Sequence, residues 1–294
     1  MKKWLCSIAG LSFALTASMA TSAQTNPGHP PNILGIQVDN VKPYLMAPYI
    51  KVAAKYPGVS ISVKDPEHYL GMDSMSGATR SMYFFGYDSY EAMQKAIEAF
   101  MSNSANRAKF DALDAEEAPY VTESHYYLWH YRPDLSNNVE GADIPHTHYW
   151  EVIIFHMKPG HDEGFEELTK IYRDTNLKIG QNISWATYEP LQGMTDAYLI
   201  LVPMTSLKDE DTGLAKEKDF GEALGEEGMH RMDRLTEDSV ASVEDNIWMT
   251  DPASSYVEKA WVDADPHYWM PKPAMKPAAK PAPAAAPAPK PAAQ

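Results

Sequence analysis

The chain has 294 residues, one cysteine and a formal net charge of −15. Between residues 24 and 270, nineteen Lys and Arg face forty Asp and Glu. That balance argues against nucleic acid and anionic membranes as partners, because both are held by cations that neutralise phosphates. The lone Cys6 precludes an internal disulfide and a Cys-based zinc site.

In chain order, Lys2 and Lys3 precede a small and apolar run up to Ala20, and Thr21-Ser22-Ala23 follows as a cleavage site. This layout predicts a secretory signal peptide over residues 1–23, hence an exported protein, periplasmic or extracellular, that does not stay inserted in a membrane. Cys6 would leave with it, and a cysteine nucleophile with Cys6.

Residues 33–41 read as a strand ended by Lys42-Pro43, and 44–56 as a helix broken at Pro57-Gly58. A second extended segment begins at 59–63 or at 68–72, and a third covers 81–87. Asp88 with Glu91 three residues on fits a capping box for the next helix, whose stripe is Tyr90, Met93, Ile97, Phe100 and Met101. Residues 121–131 form a fourth strand, dense in aromatics.

After a polar linker, 136–145, the pattern restarts. Strand 149–157 runs into Lys158-Pro159-Gly160. A helix follows from Asp162, with Phe165, Leu168, Ile171 and Tyr172 on one stripe. Strands are expected at 183–188 and 197–204, a glycine-interrupted acidic helical region at 207–235, and a closing strand at 242–250. Residues 271–294 contain only Pro, Ala, Lys, Met and Gln and predict an extended disordered tail.

The two halves superpose as β-α-β-β-α-β twice. Val41-Lys42-Pro43 matches Met157-Lys158-Pro159, Asp88-Ser89-Tyr90 matches Thr205-Ser206-Leu207, and Trp129 before Pro133 matches Trp248 before Pro252. The units are 24–135 and 146–270. The strand Val152-Ile153-Ile154-Phe155-His156 running into Lys158-Pro159-Gly160, with the acidic-apolar helix after it, resembles the dimeric α+β barrel superfamily of ferredoxin-like domains. That group includes antibiotic-biosynthesis-type monooxygenases, EthD-like and NIPSNAP-like proteins. The resemblance implies an α+β fold in which two tandem ferredoxin-like units pair their sheets into a pseudo-dimeric barrel, with a pocket between each sheet and its helices. Members of the group range from cofactor-free oxygenases to haem enzymes, so the fold does not choose a reaction.

Chemistry centres on the strand at 149–157 and its approach. In a regular strand His146, His148, Trp150, Val152, Ile154 and His156 share a face. His146 and His148, two apart, could ligate one metal ion with a third ligand such as His130; His156 is too far along the strand to join them. Alternatively, His148 and His156 act as general bases in a pocket where Trp150 stacks on an aromatic ligand. The first-half counterparts are Asn32, Leu34 and Asn40, so the pockets are unequal and the second half is the one expected to carry chemistry. Trp129, His130, Trp185 and Trp248 are further candidate ligand contacts, with sheet packing as the competing role, and Arg80 could hold an anionic substrate.

No phosphate loop, nucleophile elbow, His-Glu-x-x-His or haem-attachment motif occurs. The cofactor stays unknown: no motif requires one, and a divalent metal on His146 and His148 is the one the residues would support. Two functions remain open. One is an exported small-molecule-binding protein, with or without cofactor-independent or metal-assisted oxidation or isomerisation of a hydrophobic or aromatic compound. The other is a non-catalytic cell-envelope module whose Lys-Pro-Ala tail contacts envelope polymers.

Overall fold

A computed structural model describes residues 29–270. The expected signal peptide and the 271–294 tail lie outside them. In chain order the elements are β1 (Ile33–Val41), α1 (Met46–Ala53), α2 (Tyr56–Val63), β2 (Tyr69–Ser74), β3 (Arg80–Tyr87), α3 (Tyr90–Ser102), α4 (Ser104–Glu117) and β4 (Val121–Tyr131). A connection of short 3₁₀ turns leads to β5 (Tyr149–Met157), α5 (Asp162–Lys178), β6 (Ala186–Gln192), β7 (Ala197–Met204), α6 (Lys208–Ser239) and β8 (Val240–Thr250). Two short helices, α7 (Lys259–Ala264) and α8 (Pro266–Trp269), end the described chain.

The eight strands close into one antiparallel barrel in the order β1-β3-β2-β8-β5-β7-β6-β4. The fold is therefore α+β, with helices on the outside. The halves match in register as well as in order. Ile33 pairs with Tyr87 and His130, and Tyr149 pairs with Met204 and Met249, the same positions within their strands. A bulge falls between Asn40 and Val41 in one half and between His156 and Met157 in the other.

An eight-stranded barrel is just wide enough for side chains to fill its interior. Alternation sends Leu34, Ile36, Trp150 and Val152 inward, where they meet Met72, Tyr188, Leu199, Trp129 and Trp248 in one core. Arg132 ties the halves at the surface. Its guanidinium, largely covered, donates to Asp134, to Glu166 on α5 at 2.8 Å and to Glu189 on β6 at 2.8 Å.

Several local expectations change. Residues 59–63 belong to α2, because Pro57 sits in the first turn, where a helix does not use the missing N–H. The cap of α3 is Ser89, not Asp88: its hydroxyl accepts from Ala92 N at 3.2 Å. Strand β6 starts at Ala186 rather than 183, because residues before it are held by a bridge from Trp185 to Asn137. Of the glycines expected to interrupt the acidic helix, Gly225 breaks α6, with φ 73° and ψ 169°. Residues 104–117 form α4, which the sequence reading did not anticipate.

Candidate binding site

Strands β1, β2, β5 and β6 start, and the other four end, at one end of the barrel. Three segments converge there: residues 29–31, the connection 132–148 and the segment 251–270. Beneath them lies a cavity of about 170 Å³. Strands of both halves supply Leu34, Leu70, Phe84, Trp150, Tyr188 and Leu201; the connection supplies Val139 and Ile144; the last segment supplies Val257 and Trp261. The connection expected as a polar linker thus forms part of a wall. His29, His68, Ser184 and Glu258 bring polarity to this largely apolar lining.

Two tryptophans of the wall are fixed by hydrogen bonds that leave their ring faces apolar. Trp185 Nε1 donates to Leu135 O at 2.9 Å. Trp150 Nε1 donates to Thr250 Oγ1 at 3.2 Å, and the Thr250 hydroxyl donates to Thr147 O. Phe84 meets the Trp150 ring edge-on at 6.5 Å. Burial pushes the Tyr188 phenol well above its ordinary range, so it stays neutral.

Residues 251–270 act as a cap. Tyr256 and Tyr69 exchange backbone hydrogen bonds of 3.0 and 2.8 Å. Gly71 lets the cap approach closely, since a Cβ there would stand 2.7 Å from Ser254 Oγ. Gly71 N also donates to Ser255 Oγ at 2.9 Å. Trp269 Nε1 donates to Pro145 O at 2.8 Å, and its ring is buried against the core.

The candidate residues separate into groups. Trp150 and Trp185 line the cavity. His148 lies beside it, Nε2 3.3 Å from Asp265 and its ring stacked on Tyr268 at 3.8 Å, so it anchors the cap. His146 is in a 3₁₀ turn before the strand, Nδ1 2.9 Å from Asp143, and that carboxylate raises its pKa. His146 and His148 each have a separate carboxylate partner. Among the described residues, no three His, Cys, Asp or Glu side chains are grouped to hold a metal ion. His130 is on the surface, 3.2 Å from Glu189. Trp129 and Trp248 are buried in the barrel, with no acceptor for Nε1 among the described residues. His156 and Arg80 meet at the far end of the barrel through Glu244.

Sequence reasoning missed the cap. Its signal was Trp261, Tyr268 and Trp269 within ten residues, an aromatic density no solvent-exposed linker needs. It also missed a buried network between sheet and α1. Tyr49 donates to Asp39 Oδ2 at 2.8 Å and its hydroxyl lies 2.9 Å from Tyr83 OH; Ser124 donates to Asp39 Oδ1 at 2.6 Å. Burial first, then the Asp39 charge, pushes the nearby Glu117 carboxyl up to about 8.

No family model matches the chain, and no curated protein matches it. Solved structures do. An anthrone oxidase-like protein aligns at 10% identity over 80% of this chain and 97% of its own, with a TM-score of 0.48. A monooxygenase-like protein from Lactobacillus acidophilus NCFM aligns at 12% identity over 74% and 93%, TM-score 0.45. A chlorite dismutase from Candidatus Nitrospira defluvii, in complex with imidazole, aligns at 10% identity over 76% and 93%, TM-score 0.40. At such identities the likeness concerns the fold alone.

Proposed function

We propose that this protein binds a small, neutral, hydrophobic molecule, a one- or two-ring aromatic, in the capped cavity. The observation that carries this reading is a wall of Trp150, Trp185, Trp261 and Phe84 around about 170 Å³. Apolar cavities of about 150 Å³ take up benzene. The largely apolar lining favours neutral ligands over ions, since an unpaired charge against it would lose its hydration. For a ligand of indole's size, an efficiency of about −0.6 kcal/mol per heavy atom, between the bounds for tiny and drug-sized ligands, gives a Kd on the order of 100 µM.

Titration calorimetry with indole tests this. Wild type should bind, Ala186→Phe, which fills the cavity from β6, should abolish binding, and Trp185→Ala should weaken it about tenfold. Equal binding by wild type and Ala186→Phe would move the ligand elsewhere and sink the proposal.

Cofactor-independent oxidation or isomerisation of the bound compound is the activity this reading extends to. His29, His68 and Glu258, rather than His148 and His156, are then the groups placed to move a proton. Incubation with indole in air, followed by mass spectrometry, separates turnover from binding. The repeated registers and bulges support reading the barrel as two tandem ferredoxin-like units of the dimeric α+β type. Export rests on the layout of residues 1–23, and N-terminal sequencing of the mature protein decides it.

A further inference from the structure

Several polar atoms of the cavity wall are already committed. Trp150 and Trp185 direct their N–H groups to Thr250 and Leu135, and Ser184 donates to Asn138 O at 2.9 Å. His29 Nδ1 lies 2.8 Å from Pro30 O, His68 is stacked on Tyr256 at 4.6 Å, and packing closes off the Tyr69 hydroxyl. Tyr188 is different. It stands two residues beyond Ala186 on the inward face of β6, and both side chains line the cavity. The residue is only 2% exposed. Its hydroxyl makes no hydrogen bond with a described residue, yet it is not one of the buried polar atoms that packing closes off. With so little of the residue at the surface, the space in front of that hydroxyl is the cavity. The matching position in the first half, paired with Met82 as Tyr188 is with Leu199, is Met72, which brings no hydroxyl.

A buried O–H with no acceptor is costly, and buried polar groups are as a rule paired. Burial holds the phenol's proton in place, so what the group lacks is an acceptor. The rings of Trp150, Trp185 and Phe84 around it suit an aromatic body. We propose that the occupant of the cavity is a small aromatic carbonyl compound, and that Tyr188 selects it by donating a hydrogen bond to the carbonyl oxygen. A carbonyl oxygen accepts without bringing a charge against the largely apolar wall, which a carboxylate would do. A ligand of the same shape without an acceptor leaves the hydroxyl unsatisfied, which is how a buried polar group discriminates. This selection presupposes that the cavity holds a small aromatic molecule at all.

Acetophenone and isopropenylbenzene, in which a methylene group replaces the carbonyl oxygen, are the probes, titrated into the full chain of wild type and of Tyr188→Phe. Each protein gives a ratio of the two Kd values, and comparing the ratios cancels the difference in hydration between the probes. Wild type should favour the ketone, relative to Tyr188→Phe, by about fivefold or more, the size of one net hydrogen bond. The infrared carbonyl stretch of acetophenone bound to wild type should lie below its position in hexane and in Tyr188→Phe, a shift that a packing role of the ring would not produce. Thermal melts establish that the variant is folded. Equal ratios in the two proteins, a carbonyl stretch in wild type at its hexane position, or loss of both probes in a folded Tyr188→Phe overturns the selection by Tyr188, while binding of both probes to wild type leaves the cavity reading standing. If neither probe binds wild type at up to about 1 mM, the cavity reading falls and the selection with it.

Discussion

The layers beneath α1 and beneath α5 occupy the same place in the two halves and have opposite chemistry. Position by position, Asp39 faces Phe155, Tyr49 faces Phe165, Tyr83 faces Ile200 and Ser124 faces Val243 in the comparison, each pair at the same point of its element. The first layer is a hydrogen-bonded network around a buried carboxylate. The second is a stack in which Phe165 lies 4.1 Å from Tyr198 and 5.1 Å from Phe155. Matching backbone registers thus tolerate either solution, provided the polar one is fully satisfied. The barrel interior differs from both: it is shared, and its cavity belongs to neither half.

The largest effect should come from the apolar layer. Phe165→Ala removes the centre of the stack and should cost about 3–5 kcal/mol in a denaturant titration. A loss below 1 kcal/mol would mean that α5 is held by its surface ion pairs instead. In the polar layer, Asp39→Ala strands the hydroxyls of Tyr49 and Ser124 and should cost about 2–4 kcal/mol. Tyr49→Phe should cost about 1–2 kcal/mol. The double variant should fall short of the sum by at least about 0.5 kcal/mol, because the first change has already broken the shared bond. Strict additivity would show the network is not one unit.

The smallest effect is a pH dependence of Glu117 in the first half. Glu117 keeps its proton to about pH 8 in the folded chain, against 4.5 for the ordinary carboxyl. A raised folded value means that its contribution is fully present below the ordinary value and is lost as pH rises through 8. Glu117→Gln should match wild type at pH 5 and exceed it at pH 9 by about 1 kcal/mol, reduced from the full shift because the group is partly exposed. Parallel stability curves for the two proteins would remove the raised carboxyl from the account.

Much of the frame could be read from residues. Strands β1, β4, β5 and β7 are rich in β-branched and aromatic residues and stop at Pro or polar residues, so their limits were legible. The helix α2 was not, because Pro57-Gly58 reads as a breaker when taken without its place in a first turn. Trp150 and Trp185 were candidate ligand contacts with packing as the competing role, and both line the cavity. The histidines were the weaker guide: His-x-His suggested convergence, while the chain bends into a 3₁₀ turn before β5 and sends each ring to its own carboxylate. Nothing in periodicity announces that residues 251–270 fold back over the barrel, since that depends on contacts between Gly71 and Ser254 and between Trp269 and Pro145, far apart in sequence. The buried Asp39 lay inside a largely apolar strand, and the hydroxyls that donate to it come from α1 and β4, far away in sequence or across a turn.

The central claim is that the capped end of the barrel holds a small aromatic molecule. Crystals soaked with bromobenzene and measured at the bromine edge test it directly. The account predicts an anomalous peak enclosed by Trp150, Trp185 and Trp261, absent in Ala186→Phe. A peak under the helices of either half, or none within the barrel, would contradict it.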